Sequence, residues 1–243
     1  MRITRLYHPG KLCCGETTQL DSNASNHLVR VLRSKAGSDV ILFNGDGFDY
    51  RCRTINTDPK QTSVTVESKV QTNNESNLYI TLIQGLSRQD RMEATIQKSV
   101  ELGVNRIIPV ICQRSNSRLP KEKQLKKILH WRKVAISACE QSGRSSIPAI
   151  TEITSLHDLA SLLNHGTLKL MLVPQAEISL KDVCFKQQEI ELFIGPEGGL
   201  NEDESAHLKE NKFDGIRFGP RILRTETAGP AAISALQTLW GDF

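Results

Sequence analysis

No apolar run in the 243-residue sequence approaches the roughly 20 residues that a membrane-spanning helix needs, so no membrane partner is expected. Residues 1–10 carry Arg2, Arg5 and His8 and no apolar stretch, so no signal peptide is expected there. Six cysteines stand at 13, 14, 52, 112, 139 and 184 without a single Cys-x-x-Cys pair; they are expected to be reduced thiols of a cytoplasmic protein. The six histidines lack the spacing of metal ligands, and no metal is expected. Phosphate fingerprints are missing as well. Gly45-Asp46-Gly47 has no third glycine and lies between β segments, which makes it a hairpin turn. Gly195-Pro196-Glu197-Gly198-Gly199 has no Gly-Lys-Ser/Thr after it, so it is not a Walker loop. There is no internal repeat and no low-complexity stretch.

What is present is enough apolar residue, 38%, for a core, and an uneven distribution of charge. The net charge is only +4, but residues 78–150 hold 13 Lys and Arg against 5 Asp and Glu, whereas residues 151–243 hold 8 against 14. A basic middle beside an acidic end suggests that a polyanion meets one face of the molecule.

Residues 1–70 read as short β segments: 40–43, then a turn at 44–47, then 50–55 and an alternating stretch at 63–67. One helix, 25–33, interrupts them, with Leu28, Val31 and Leu32 on one face and Arg30 and Arg33 beside it. The wholly polar residues 71–77 form a linker, and the domains are expected at 1–72 and 73–243. Beyond the linker, strands alternate with helices, which implies a mostly parallel sheet covered on both faces. Strands are expected at 78–82, 106–112, 168–173, 190–194 and 215–218. A helix capped by Asp90 and Glu93 should bury Met92, Ile96 and Val100; a basic helix should span 121–141, and a polar one should start at Asn201. The last helix should bury Ala232, Ala235, Leu236, Leu239 and Trp240.

Two loops carry the chemistry. The 195–199 loop follows an apolar strand and precedes a helix, the place where open α/β sheets bind ligands, and its three glycines let backbone approach a ligand closely. Residues 218–228 also join a strand to a helix, and they hold Ile222 and Leu223 among Arg221, Arg224 and Glu226. Apolar residues between charges fit a loop folded inward over a ligand.

These stretches resemble a known family. Leu192-Phe193-Ile194-Gly195-Pro196-Glu197-Gly198-Gly199-Leu200 with Glu204, and Leu223-Arg224-Thr225-Glu226-Thr227-Ala228, are similar to the signatures of the bacterial 16S ribosomal RNA (uracil(1498)-N3)-methyltransferases. Gln97-Lys98-Ser99-Val100-Glu101-Leu102-Gly103-Val104, Ala138-Cys139-Glu140-Gln141-Ser142-Gly143-Arg144 and His27-Leu28-Val29-Arg30-Val31-Leu32-Arg33 match three further family blocks in order. The resemblance implies an α/β SPOUT domain with a C-terminal deep trefoil knot, an N-terminal PUA-like β-barrel, a homodimer, and S-adenosylmethionine (SAM) as cofactor. It places the methyl donor on three segments: Leu172, Val173 and Pro174; Ile194, Gly195, Pro196, Gly198 and Gly199; and Phe218, Gly219, Ile222 and Leu223. One departure is Gly229-Pro230, where helix formers are expected; Pro230 fits a first helical turn, which would start the last helix later.

The implied reaction methylates N3 of a uridine in 16S rRNA of the small ribosomal subunit. N3 must lose its proton, and the charge spreads over O2, N3 and O4. Arg224 and loop N–H groups are candidates to stabilise that anion. Glu226 or Glu197 is the candidate proton acceptor, with a structural role within its own loop as the alternative for Glu197. RNA contacts are expected from Arg2, Arg5, Arg30 and Arg33, and from Arg88, Arg91, Lys98, Arg114 and Arg118. Three other readings stay open: a knotted methyltransferase acting on transfer RNA, a non-catalytic RNA-binding or assembly factor, and, more distantly, a nucleotide-cofactor enzyme.

Overall fold

The computed structural model describes residues 3–115 and 120–243. Arg2 and Arg118, both expected to touch RNA, lie outside the described residues. The chain divides into two compact units: residues up to Glu75 together with Cys139–Ile147, and the remainder.

The first unit is a five-stranded sheet built from β1 (Thr4–Tyr7), β2 (Thr17–Gln19), β3 (Asp39–Phe43), β4 (Phe48–Thr54) and β5 (Ser63–Gln71), in the order β1-β3-β4-β5-β2. β4 shows why it is a strand. Tyr50, Cys52 and Thr54 are buried while Arg51 and Arg53 face solvent, the period of two that a half-buried strand needs. Asn44 Oδ1 accepts the Asp46 N–H at 3.2 Å and Gly45 and Gly47 take positive φ, so the 44–47 segment is the hairpin turn expected. The core of this unit gathers Leu6, Leu20, Leu28, Val40, Leu42 and Val64.

The helix expected at 25–33 is interrupted. Asp21 caps α1 (Ser22–Asn26) by accepting the Ala24 N–H at 2.8 Å, and a π-turn follows over His27–Val31. The wider turn rotates later side chains out of the 3.6-residue phase. Leu28 is buried, but Val31 is 60% exposed and Leu32 is exposed too, so the three do not share one buried face. Arg30 and Arg33 do project to solvent. The polar segment after β5 is bonded rather than loose. Thr72 bonds the Gly47 carbonyl, Asn74 Nδ2 donates to the Gly143 carbonyl at 2.6 Å, and Glu75 accepts from Arg144 at 2.6 and 3.0 Å. The first unit therefore runs three residues past the expected boundary at 72 and recruits 139–147 from far along the chain.

The second unit is a seven-stranded sheet: β6 (Tyr79–Gly85), β7 (Arg106–Ile111), β8 (Ala149–Ile150), β9 (Thr154–Ser155), β10 (Leu168–Leu172), β11 (Glu189–Ile194) and β12 (Asp214–Ile216). Its order is β12-β10-β11-β6-β7-β8, with β9 also beside β7, and each pairing is parallel. The inner strands are mostly apolar on both faces because helices cover them: α2 (Gln89–Glu101), α3 (Lys121–Ser142), α4 (Glu202–Glu210) and α5 (Thr225–Trp240). Met92, Ile96 and Val100 are buried on α2 as expected. Its N-cap, however, is Arg88 and has no side-chain cap, so the Asp90–Glu93 capping box does not form. At α4 a capping box does form between Asn201 and Glu204.

α5 departs from expectation in two ways. It starts at Thr225, so Pro230 sits inside it and lacks the N–H that would bond the Glu226 carbonyl. Its buried face is Ala228, Ala232, Ile233, Leu236 and Gln237; Ala235 and Trp240 are only partly covered and Leu239 is exposed. Gln237 belongs in the core because its amide is satisfied, donating to the Leu102 carbonyl at 3.1 Å and accepting from Ser76 at 2.7 Å. β12 lies at the sheet's edge, yet α5 packs on α2, β6 and β11 in its middle. The chain thus crosses back over the sheet after β12.

Candidate active site

Three segments leave the C-terminal ends of β10, β11 and β12 and enclose a cleft of about 910 Å³. Parallel strands deliver their connections to one end of a sheet, so this convergence follows from the topology. Leu172, Val173 and Pro174 form one wall; Ile194, Gly195, Pro196 and Gly199 another; Phe218, Gly219, Ile222 and Leu223 the third. The segments are cross-braced, with Val173 N–H bonded to the Ile216 carbonyl at 3.0 Å and Arg217 N–H to the Ile178 carbonyl at 2.7 Å.

Of the residues expected to hold the methyl donor, only Gly198 is not on the cleft's wall. It faces the other way. A Cβ there would lie 2.9 Å from the Arg114 Cβ, and Arg114 donates to the Gly198 carbonyl at 3.2 Å and the Leu200 carbonyl at 3.4 Å. Gly198 thus makes room for Arg114, which is exposed and clasps the loop.

The loop is also fixed from below, by residues the sequence reading passed over. Gln84 Nε2, buried at the end of β6, donates to Thr225 Oγ1 at 2.9 Å, and Thr225 Oγ1 donates to the Gly195 carbonyl at 2.9 Å. One hydroxyl thereby ties β6, the 195–199 loop and the start of α5. The next residue, Gly85, has the Pro196 nitrogen only 2.5 Å from where a Cβ would stand. The signal that could have found Gln84 is a polar residue in the apolar run Ile80-Thr81-Leu82-Ile83.

Beside the cleft lies a cluster of charges. Glu197 accepts the Arg88 backbone N–H at 3.3 Å and the Arg91 guanidinium at 2.9 Å. That bond supplies the cap α2 lacks on its own. Arg91, expected on RNA, instead lines the cleft and bridges two carboxylates, since its Nε lies 3.7 Å from Glu226 Oε1. Glu226 lies next to Arg91 and Arg224 of the cleft wall, with Oε2 buried and without a hydrogen-bond partner among the described residues. Arg224 lies at the rim, 78% exposed and 4.0 Å from Glu226 Oε1.

Residues 74–237 match the RNA methyltransferase domain family, and residues 20–67 match the RNA methyltransferase PUA domain. Over 242 residues, 100% of this chain and 96% of the relative, the sequence is 33% identical to ribosomal RNA small subunit methyltransferase E of Buchnera aphidicola subsp. Acyrthosiphon pisum. The Bacillus subtilis protein of that name is 32% identical over 90% of this chain and 89% of its own length. The chain belongs to the ribosomal RNA small subunit methyltransferase E family. A crystal structure of the Neisseria gonorrhoeae methyltransferase E, bound to S-adenosyl methionine, is similar to this chain with a TM-score of 0.93 and 38% identity, covering 100% of both. A Legionella pneumophila structure, in complex with the bound cofactor SAM, gives 0.95 and 37%, again over 100% of both. The α/β fold and the N-terminal PUA domain expected from the sequence are those of this methyltransferase E family.

The remaining expected RNA contacts divide. Arg5 has a side chain only 8% exposed; it pairs with Asp49, donates to Ser145 Oγ at 2.9 Å and the Arg144 carbonyl at 3.2 Å, and lies over the Phe43 ring. It is a buried structural cation, which corrects the surface role expected of it. Lys98 is exposed but paired with Glu101 at 3.0 Å. Arg30, Arg33 and Arg88 have exposed side chains. Among the described residues, no group of His, Cys, Asp and Glu could hold a metal, and no helix is long and apolar enough to cross a membrane.

Proposed function

We propose that this protein transfers the methyl group of SAM to N3 of a uridine in 16S rRNA of the small ribosomal subunit, in the cytoplasm and as a homodimer. The observation that carries the proposal is a glycine-walled cleft at the strand ends with a guanidinium–carboxylate cluster beside it. The cleft fits the cofactor. Its volume lies within the range of small-ligand sites, its walls are apolar at Leu172, Ile194 and Leu223, and Gly219 offers bare backbone with nothing within 4 Å of where a Cβ would be. When bound, SAM supplies an electrophilic methyl carbon, so this chain's residues have to align and deprotonate.

Glu226 is the proton acceptor of this reading. Its buried Oε2 has lone pairs to spare, whereas Glu197 is already occupied by Arg88 and Arg91. In this reading Glu197 is the structural carboxylate, tying its loop to the start of α2. Arg224, unburied at the rim, can turn onto O2 or O4 and stabilise the anion left behind. The dimer would bury apolar surface otherwise left to water, Ile222 at 82% and Leu239 at 48% exposure.

Nucleoside mass spectrometry of ribosomal RNA from cells with and without the protein tests the reading. The expected result is loss of N3-methyluridine from small-subunit rRNA alone. Loss of a methylated transfer RNA nucleoside would favour the transfer RNA reading. Absence of SAM binding by calorimetry would favour a non-catalytic RNA-binding factor. Light scattering reads the assembly, with twice the 27.1 kDa chain mass expected.

A further inference from the structure

We propose that the exposed face of α3 is a phosphate track for the RNA strand flanking the target nucleotide. The proposal rests on the methyltransferase reading above and adds the surface that would carry its substrate. Residues 78–150 hold 13 Lys and Arg, but much of that charge is committed inside the unit. Arg91 is held by Glu197, Arg114 by the 198–200 carbonyls, Arg106 by the Leu162 carbonyl at 3.0 Å and Arg132 by the Ile150 carbonyl at 3.1 Å. Among the described residues of this span, most of the cations left for an outside anion lie on α3.

Ile128, Trp131 and Ala135 bury one side of that helix. Lys123, Lys126 and Lys133 are exposed, and among the described residues none forms an ion pair. With His130 they recur at spacings of three and four, which places them along one side. From 123 to 133 the row is about 15 Å long, several steps of a nucleic-acid strand at roughly 3.4 Å of rise each. The row also leads toward the cleft. His130 Nε2 lies 2.9 Å from Glu93 Oε1 on α2, and Glu93 is about 7.5 Å along that helix from Arg88, whose N–H is bonded to Glu197 in the cleft wall. A strand whose target base enters the cleft can therefore lay its neighbouring phosphates along α3. Three unneutralised ammonium groups on one side of the helix, with no carboxylate on α3 itself between 123 and 139 and only Glu93 of α2 beside the row at His130, suit a polyphosphate backbone.

The test is the salt dependence of binding to transcribed small-subunit rRNA over about 50 to 200 mM salt. Combining Lys123→Gln, Lys126→Gln and Lys133→Gln should lower the slope of log Kd against log salt by about 2, at roughly 0.7 per lost single-strand phosphate contact. The matching Lys→Arg triple should keep the slope, and SAM affinity by calorimetry should be unchanged in both. A slope that moves by less than about 0.5 in the Gln triple, or that falls equally in the Arg triple, overturns the track. Failure of the underlying reading is seen separately, because the unsubstituted protein would then leave the rRNA unmethylated.

Discussion

Between Arg91 and Arg224 lies one carboxylate, Glu226, 3.7 Å from the first guanidinium and 4.0 Å from the second. The two arginines are held very differently. Arg91 is fixed by Glu197, so in the proposed reaction its charge would set the field around Glu226. Arg224 is 78% exposed, so in the proposed reaction its contribution would come when the uracil anion forms. Arg224→Ala should then cut the single-turnover rate about 10²–10³-fold, the usual worth of one positioned donor at roughly 3 kcal/mol, while SAM affinity by calorimetry stays nearly constant. Normal chemistry with lost SAM binding would make Arg224 a cofactor ligand instead. The cysteines give a second residue-scale prediction. Burial pushes the thiols of Cys52, Cys112 and Cys139 up to about 12. They stay protonated near pH 8, so iodoacetamide should label exposed Cys14 and Cys184 and spare these three until the chain unfolds. The linkage has a definite sign. Above about pH 9 the unfolded chain loses thiol protons that the folded chain keeps, so stability falls as pH rises there. Peptide mass spectrometry after labelling checks the pattern, and Cys139 reacting as fast as Cys14 would contradict it.

At the scale of elements, the glycines do unlike work although the sequence writes them alike. Gly219 has a positive φ of 75° and open space around it, so Gly219→Ala meets only backbone strain of about 1–2 kcal/mol. Gly85→Ala drives a Cβ to 2.5 Å from the Pro196 nitrogen and 2.9 Å from the Gly195 carbonyl carbon, both backbone atoms that cannot rotate aside. It should displace the 195–199 loop, weaken SAM at least about tenfold and lower stability by about 1–3 kcal/mol. If calorimetry finds SAM affinity intact in Gly85→Ala, the β6 end does not set the loop. The same contrast explains what was legible in the sequence. Strand-loop-helix order, the alternation of β4 and the Asn201 helix start are local patterns, and each could be read directly. The π-turn after Asn26 breaks the period on which such reading depends. Arg91 looks like any basic-segment cation until Glu197, 106 residues away, is seen to hold it. Gln84 and Thr225 matter only because the chain's return after β12 brings them together.

For the whole molecule, the division of the chain carries the consequence. A break at 72, where composition changes, would separate the β unit from residues 139–147, which complete it. Those residues pair with part-buried polar groups of the β unit. Ser145 Oγ and the Arg144 carbonyl accept from Arg5, the Arg144 guanidinium meets Glu75, and Glu140 accepts the Tyr7 N–H at 2.9 Å. Each buried polar group left without its partner costs about 1–3 kcal/mol. Three such losses are comparable with the whole stability of a small domain, about 5–15 kcal/mol. A fragment of residues 1–75 should therefore lack a cooperative thermal transition by circular dichroism. Adding residues 139–147 to the same fragment through a flexible linker should restore one. A sharp melt for 1–75 alone would mean that the strand core around Leu42 and Val64 suffices, and that the 139–147 segment merely rests on a unit already folded.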